Sequence, residues 1–180
     1  MRKTKITKGN RTVCFVGISG KPGAIGTMKP LSEETLSGKV ISKVEAKLRE
    51  ASECSVFVRD NLVQNPPLTD GKLRYPTYRE MKSEWGSFER RLVKKKSTVI
   101  ILLGNLVADF FQEMRNLRMV ADSSAGGRFL KWAGVDDENG LLVLAVAHPS
   151  YVGVYARKRM GDYIEIILQA IQDHLNEVYS

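Results

Sequence analysis

Of the two histidines in the 180-residue chain, His148 leaves the end of an apolar run, Leu141 to Ala147, and enters Pro149-Ser150. An imidazole at a strand end can donate a hydrogen bond or carry a proton near neutral pH. His174 falls inside a C-terminal helical pattern, where a surface or half-packed place is expected. Two other candidate chemistries fail on spacing. Gly17-Ile18-Ser19-Gly20-Lys21-Pro22-Gly23 resembles a phosphate loop, but proline follows Gly20-Lys21 where Ser or Thr should hold magnesium, and at Ser37-Gly38-Lys39 the position five before Gly38 is Glu33. A nucleophile elbow needs glycine two residues after Ser19, where Lys21 stands. Cys14 and Cys54 offer neither a metal quartet nor an obvious disulfide and read as packing residues.

Twenty-eight Lys and Arg against 20 Asp and Glu give a net charge of +8, which favours a polyanionic partner, nucleic acid first. The Lys94-Lys95-Lys96 run reads as a solvated face rather than a patch. No stretch approaches the about 18 apolar residues of a membrane span, and the opening MRKTKITKGN lacks a signal-peptide core. The expectation is one domain over 1–180 with a flexible basic segment at 1–10, cytoplasmic and monomeric.

Four β-branched and aliphatic runs read as buried strands: Thr12 to Gly17, Ser55 to Val58, Thr98 to Leu103 and Leu141 to Ala147. Between them lie helical patterns. One begins near Ser37 with Val40, Val44, Leu48 and Ala51 on one stripe, and a second follows a Thr77/Glu80 capping box. A third follows Asn105 as N-cap, and the last spans about Asp162 to Val178. The alternation predicts a three-layer α/β/α domain with a central, mainly parallel four-stranded sheet. Ligands in such sheets sit beyond the carboxyl ends of the strands, so the segments Ile18 to Leu36, Arg59 to Pro76 and His148 to Gly161 should build the site. Ala121 to Gly140 reads as an irregular surface stretch, with a lid or partner role as the alternative.

In order, Phe15-Val16-Gly17-Ile18-Ser19 with Pro22-Gly23, Lys29-Pro30-Leu31, Ser37-Gly38, the strand Val56 to Val63 ending at Pro66-Pro67, Val99 to Gly104, and Ala147-His148-Pro149-Ser150 resemble the motifs of the uracil-DNA glycosylase superfamily, most closely its families 4 and 5. The resemblance spans nearly the whole chain. It implies a DNA glycosylase that extrudes the target nucleotide and cuts its glycosidic bond, without a cofactor, since the iron–sulfur cysteines of family 4 are missing.

The resemblance places Gly17, Ile18, Ser19 and Leu31 around the base. It puts His148 where a donor can stabilise the anion of the departing base. Ser37, Ser150 and Tyr151, with Arg157, Lys158 and Arg159, fall where DNA would be gripped or wedged. The first motif lacks the usual acid. Counting from Pro30 as in family 5 gives Glu34 as the group that orients water, with Glu33 in reserve. Leu31 stands where the family has a phenylalanine, and Asp60 aligns with its base-reading asparagine, unless a one-residue shift restores Asn61. An acceptor-only Asp60 would favour a cytosine-like edge, and a bulky modified cytosine of the sort found in bacteriophage DNA is the expected substrate beside uracil. The alternatives are an N-glycosidase or transferase acting on free nucleosides or nucleotides and a non-catalytic reader of modified DNA. Lys21 and Lys29 leave a lyase step open.

Overall fold

Period-two alternation along three apolar strands sorts the core into two layers. Val13, Phe15, Val99, Ile101, Leu103, Leu142, Leu144 and Val146 face one side of the sheet, and Cys14, Val16, Ile100, Leu102, Val143 and Ala145 face the other. Both faces are covered, so these strands read as continuous apolar runs. The computed structural model describes residues 11–20, 29–51 and 54–179. The expected basic segment 1–10 and Lys21, Pro22 and Gly23 lie outside the described residues.

The chain runs β1 (Thr12–Gly17), α1 (Leu36–Glu50), β2 (Val56–Asn61), a small hairpin β3 (Leu68–Thr69) and β4 (Lys72–Leu73), α2 (Tyr78–Lys94), β5 (Val99–Leu103), α3 (Asn105–Met114), β6 (Arg118–Asp122), α4 (Ser123–Gly126), β7 (Leu130–Asp136), β8 (Leu141–Val146), α5 (Pro149–Tyr155), a 3-10 turn (Arg157–Arg159), α6 (Met160–His174) and a last 3-10 turn (Leu175–Tyr179). The main sheet is ordered β2-β1-β5-β8-β7-β6. Its first four strands are parallel neighbours, while β7 is antiparallel to both β8 and β6. Helices α1 and α6 contribute to one core layer, and α2 and α3 to the other, where Trp85 meets Phe111 edge-on at 5.3 Å.

The three-layer α/β/α fold is as the sequence predicts, but among the described residues the sheet has six strands rather than four. The stretch Ala121 to Gly140, expected as an irregular surface loop, is instead largely ordered as the end of β6, α4 and β7. Lys131 and Gly134 break the apolar run of β7, hiding a strand that pairing with β8 nonetheless buries almost throughout. The Thr77/Glu80 capping box forms: the Glu80 N–H donates to Thr77 Oγ1 at 3.3 Å and the Thr77 N–H to the Glu80 carboxylate at 2.7 Å. Helix α3 is capped by Gly104, with Asn105 its first residue. Among the described residues, no helix is long and apolar enough to cross a membrane.

Candidate active site

Strand registry assembles the site. Gly17 pairs with Asn61, Val16 with Leu102, and Leu103 with Val146, so Asn61, Gly17, Gly104 and His148 line up along the carboxyl edge of four parallel strands. With neighbours about 4.8 Å apart, the outer two backbones stand about 14 Å from each other. That gap suits a flat ring held between two side chains.

Asn61 is 7% exposed, and no described residue hydrogen-bonds its side-chain amide. A Cβ on Gly17 would lie 2.7 Å from Asn61 Oδ1 and 3.8 Å from Leu31 Cδ2, so a side chain there would collide with the amide. The backbone beside it is fixed, because the Leu62 N–H donates to the Gly17 carbonyl at 2.9 Å and the Val63 N–H to that of Ile18 at 3.0 Å. Ile18 and Ser19 follow, half-buried; Ser19 Oγ donates to the Gly20 carbonyl at 3.2 Å.

Asp60 does not face this edge. Alternation turns it to the α2 side, where Lys95 Nζ at 2.7 Å and Arg91 Nε at 3.1 Å grip a carboxylate that is 1% exposed. Burial alone would raise its pKa, but the hydrogen bonds from Lys95 and Arg91 overcome this and hold it below the usual carboxylate range. Its other oxygen accepts the Asn61 N–H at 2.8 Å, and Arg91 donates to the Asn61 carbonyl at 2.8 Å. The expected base contact from Asp60 is thereby corrected: the saturated carboxylate holds Asn61, the residue of the one-residue shift, in place.

His148 caps α5. Its Nδ1 accepts the Ser150 N–H at 3.2 Å and lies 2.7 Å from Ser150 Oγ. With Nδ1 an acceptor, a neutral ring carries its proton on Nε2, which no described group engages. Part of the ring packs against Gly104, whose Cβ, if present, would sit 3.3 Å from it. His148 is exposed overall, and the hydration its ring loses where it packs moves its pKa below the usual imidazole value, so that the ring is neutral at pH 7. Behind it, the buried Tyr163 hydroxyl donates to the Ala147 carbonyl at 3.0 Å.

The Lys29–Glu34 segment closes the α1 side. Leu31 takes a left-handed φ of 50°, costly for leucine. Arg59, which the sequence reading did not single out, secures it by donating to the Leu31 carbonyl at 2.8 Å, to Ser42 Oγ at 2.8 Å and to Glu45 at 2.9 and 3.0 Å. A charged residue inside a strand was the available signal. Gly38 lets this segment rest on α1, since a Cβ there would fall 1.9 Å from the Ser32 carbonyl oxygen. Lys29, Pro30, Leu31, Ser32, Glu33, Glu34 and Arg59 line an open cleft of about 840 Å³. Glu33 leans on Arg59 at 3.6 Å, whereas the exposed Glu34 carboxylate has no partner among the described residues. The half-buried Ser37 sits in the first turn of α1. Ser150, Tyr151, Arg157, Lys158 and Arg159 cluster along α5 and the turn after it.

A family model described as the uracil DNA glycosylase superfamily matches residues 9–172. The chain belongs to the uracil-DNA glycosylase superfamily. No curated protein matches it. Membership supports a DNA glycosylase, a DNA-binding hydrolase of N-glycosyl bonds. In this glycosylase His148, Gly17 and Leu31 lie at one edge of the sheet, with Arg59, Gly104 and Tyr163 packed or hydrogen-bonded against that segment.

Proposed function

We propose that the protein releases a flipped-out pyrimidine, uracil or a related modified base, from DNA and leaves an abasic site. The observation that carries this reading is the pairing of two unengaged polar side chains, the Asn61 amide and His148 Nε2, on one sheet edge with Gly17 between them. Asn61 can donate and accept at the edge of the base. As the bond from C1′ to the ring nitrogen breaks, its electron pair passes to the base, and His148 Nε2–H hydrogen-bonds the carbonyl oxygen where negative charge collects. Water adds to C1′ and gives its proton to Glu34, whose carboxylate has no partner among the described residues, whereas Glu33 is held by Arg59 and Ser42.

With Asp60 saturated on the other face, the preference for a cytosine edge loses its support, and uracil becomes the first substrate to try. The open space beside Leu31 favours tolerance of bulky ring substituents, including those of modified phage cytosines. Release is hydrolytic and monofunctional in this reading, so strands should break only after alkali; breakage without alkali that disappears in Lys29→Ala would identify a lyase instead. A test offers DNA carrying uracil or hydroxymethylated cytosine, alongside free deoxyuridine, to the wild type and Asn61→Ala. Release from DNA alone, reduced in the variant, is expected, whereas release from the nucleoside alone would point to a nucleosidase.

A further inference from the structure

About 10 Å along α5 from His148, a second cleft of about 540 Å³ opens between the end of that helix and the start of β7, lined by Arg128, Val154, Tyr155, Arg157, Lys158 and Arg159. Its wall is unusual for a free surface. Tyr155 is 80% exposed and Val154 57%, and Tyr151 lies against Tyr155 at 5.8 Å between ring centroids. Arg159 is paired with Asp162 at 2.7 Å, but Arg128, Arg157 and Lys158 have no acidic partner among the described residues. Arg128 is steadied over the Phe129 ring at 5.7 Å and lies 3.4 Å from the Tyr151 hydroxyl. An exposed aromatic face bordered by unneutralised cations suits a ligand with both a π-face and a phosphate. An acidic peptide would satisfy the cations but leave the ring uncovered.

We propose that this cleft holds a second nucleotide of the target strand, unstacked, with its base on Tyr155 and its phosphates against Arg157 and Lys158. The inference rests on the glycosylase reading for the placement of the strand. It goes beyond that reading in assigning a binding site for a neighbouring base, and it gives the enzyme a preference for single-stranded or locally melted DNA, whose bases are free to leave the stack.

The test is fluorescence anisotropy with single strands carrying a central tetrahydrofuran abasic site, a product mimic indifferent to which base the pocket reads. The neighbouring bases are deleted one at a time through three nucleotides on either side. Wild type should lose about fivefold or more in affinity when one particular neighbour is deleted. Tyr155→Ala should lose a similar factor on the intact strand and become indifferent to that deletion. Lys158→Ala should weaken binding to every strand and shallow the salt dependence. Equal sensitivity of wild type and Tyr155→Ala to every deletion, or sensitivity of neither, would overturn the proposal. Because binding needs no catalysis, a protein that releases no base yet shows the Tyr155-dependent neighbour effect keeps this site and loses the glycosylase reading. Base release without a neighbour effect does the reverse.

Discussion

On the α2–α3 side of the sheet the charged groups that reach inward find partners: Asp60 takes Lys95 and Arg91, and Arg115 joins Asp136 at 2.8 Å and Glu89 at 2.9 Å. On the α1–α5 side, the Asn61 amide, His148 Nε2 and the Glu34 carboxylate have none among the described residues. The contrast separates two tasks. The ion-paired side fixes the backbone of Asn61, although Arg115 Nε is buried there without a hydrogen bond among the described residues, while the α1–α5 side leaves hydrogen-bonding capacity for a ligand. Substitutions should divide accordingly between stability and chemistry.

The largest effect is expected for Asp60→Ala, which leaves two cations facing a buried void and should cost about 3–5 kcal/mol of unfolding free energy in urea titrations. A loss under about 1 kcal/mol would break the comparison. His148→Ala should leave stability within about 1 kcal/mol but slow base release about 10²–10³-fold, with little change in DNA affinity. Equal losses in rate and affinity would make the histidine structural. Glu34→Gln should slow release about tenfold to a hundredfold, less than an ideally placed base would, because its carboxylate is exposed and unfixed. Tyr151→Ala, at 37% exposure, should weaken DNA binding only a few-fold.

The two sides also differ with pH. The folded-state pKa of Asp60 is depressed from 3.8, so its contribution to stability is complete above that value and is lost as pH falls through the lower folded-state pKa. Wild type should therefore lose more stability than Asp60→Asn between pH 7 and pH 3. The pKa of His148 is lowered from 6.5, so the neutral donor persists as pH falls past 6.5 and the rate declines only below it. A rate that rises on acidification through 6.5 would show an imidazolium acid instead.

The parallel half of the fold is legible because strands covered on both faces carry unbroken apolar runs, and the Thr77/Glu80 box marks a helix start unaided. β6 and β7 escape notice because β6 is a half-polar edge strand and β7 is interrupted by Lys131 and Gly134. At the site, His148 is visible as a polar residue ending an apolar strand. The exchange of Asp60 for Asn61 is also latent in the sequence: alternation from Val58 places Asp60 toward the α2 layer, and Arg91 and Lys95, one helical turn apart, are its natural partners. The Arg59 clasp on Leu31 and the meeting of Arg128 with Tyr151 join residues 28 and 23 positions apart, and no local pattern announces them.

Cleavage of a glycosidic bond in DNA with His148 on the departing base has a direct chemical readout. It is tested most directly by incubating wild type and His148→Ala with strands carrying uracil, other deaminated bases, and hydroxymethylated or glucosylated cytosine, and quantifying free base by mass spectrometry. Wild type should release at least one of these pyrimidines, leaving alkali-sensitive sites in equal number, and His148→Ala should release it about 10²–10³-fold more slowly. No released base from any strand, or undiminished release by His148→Ala, would contradict it.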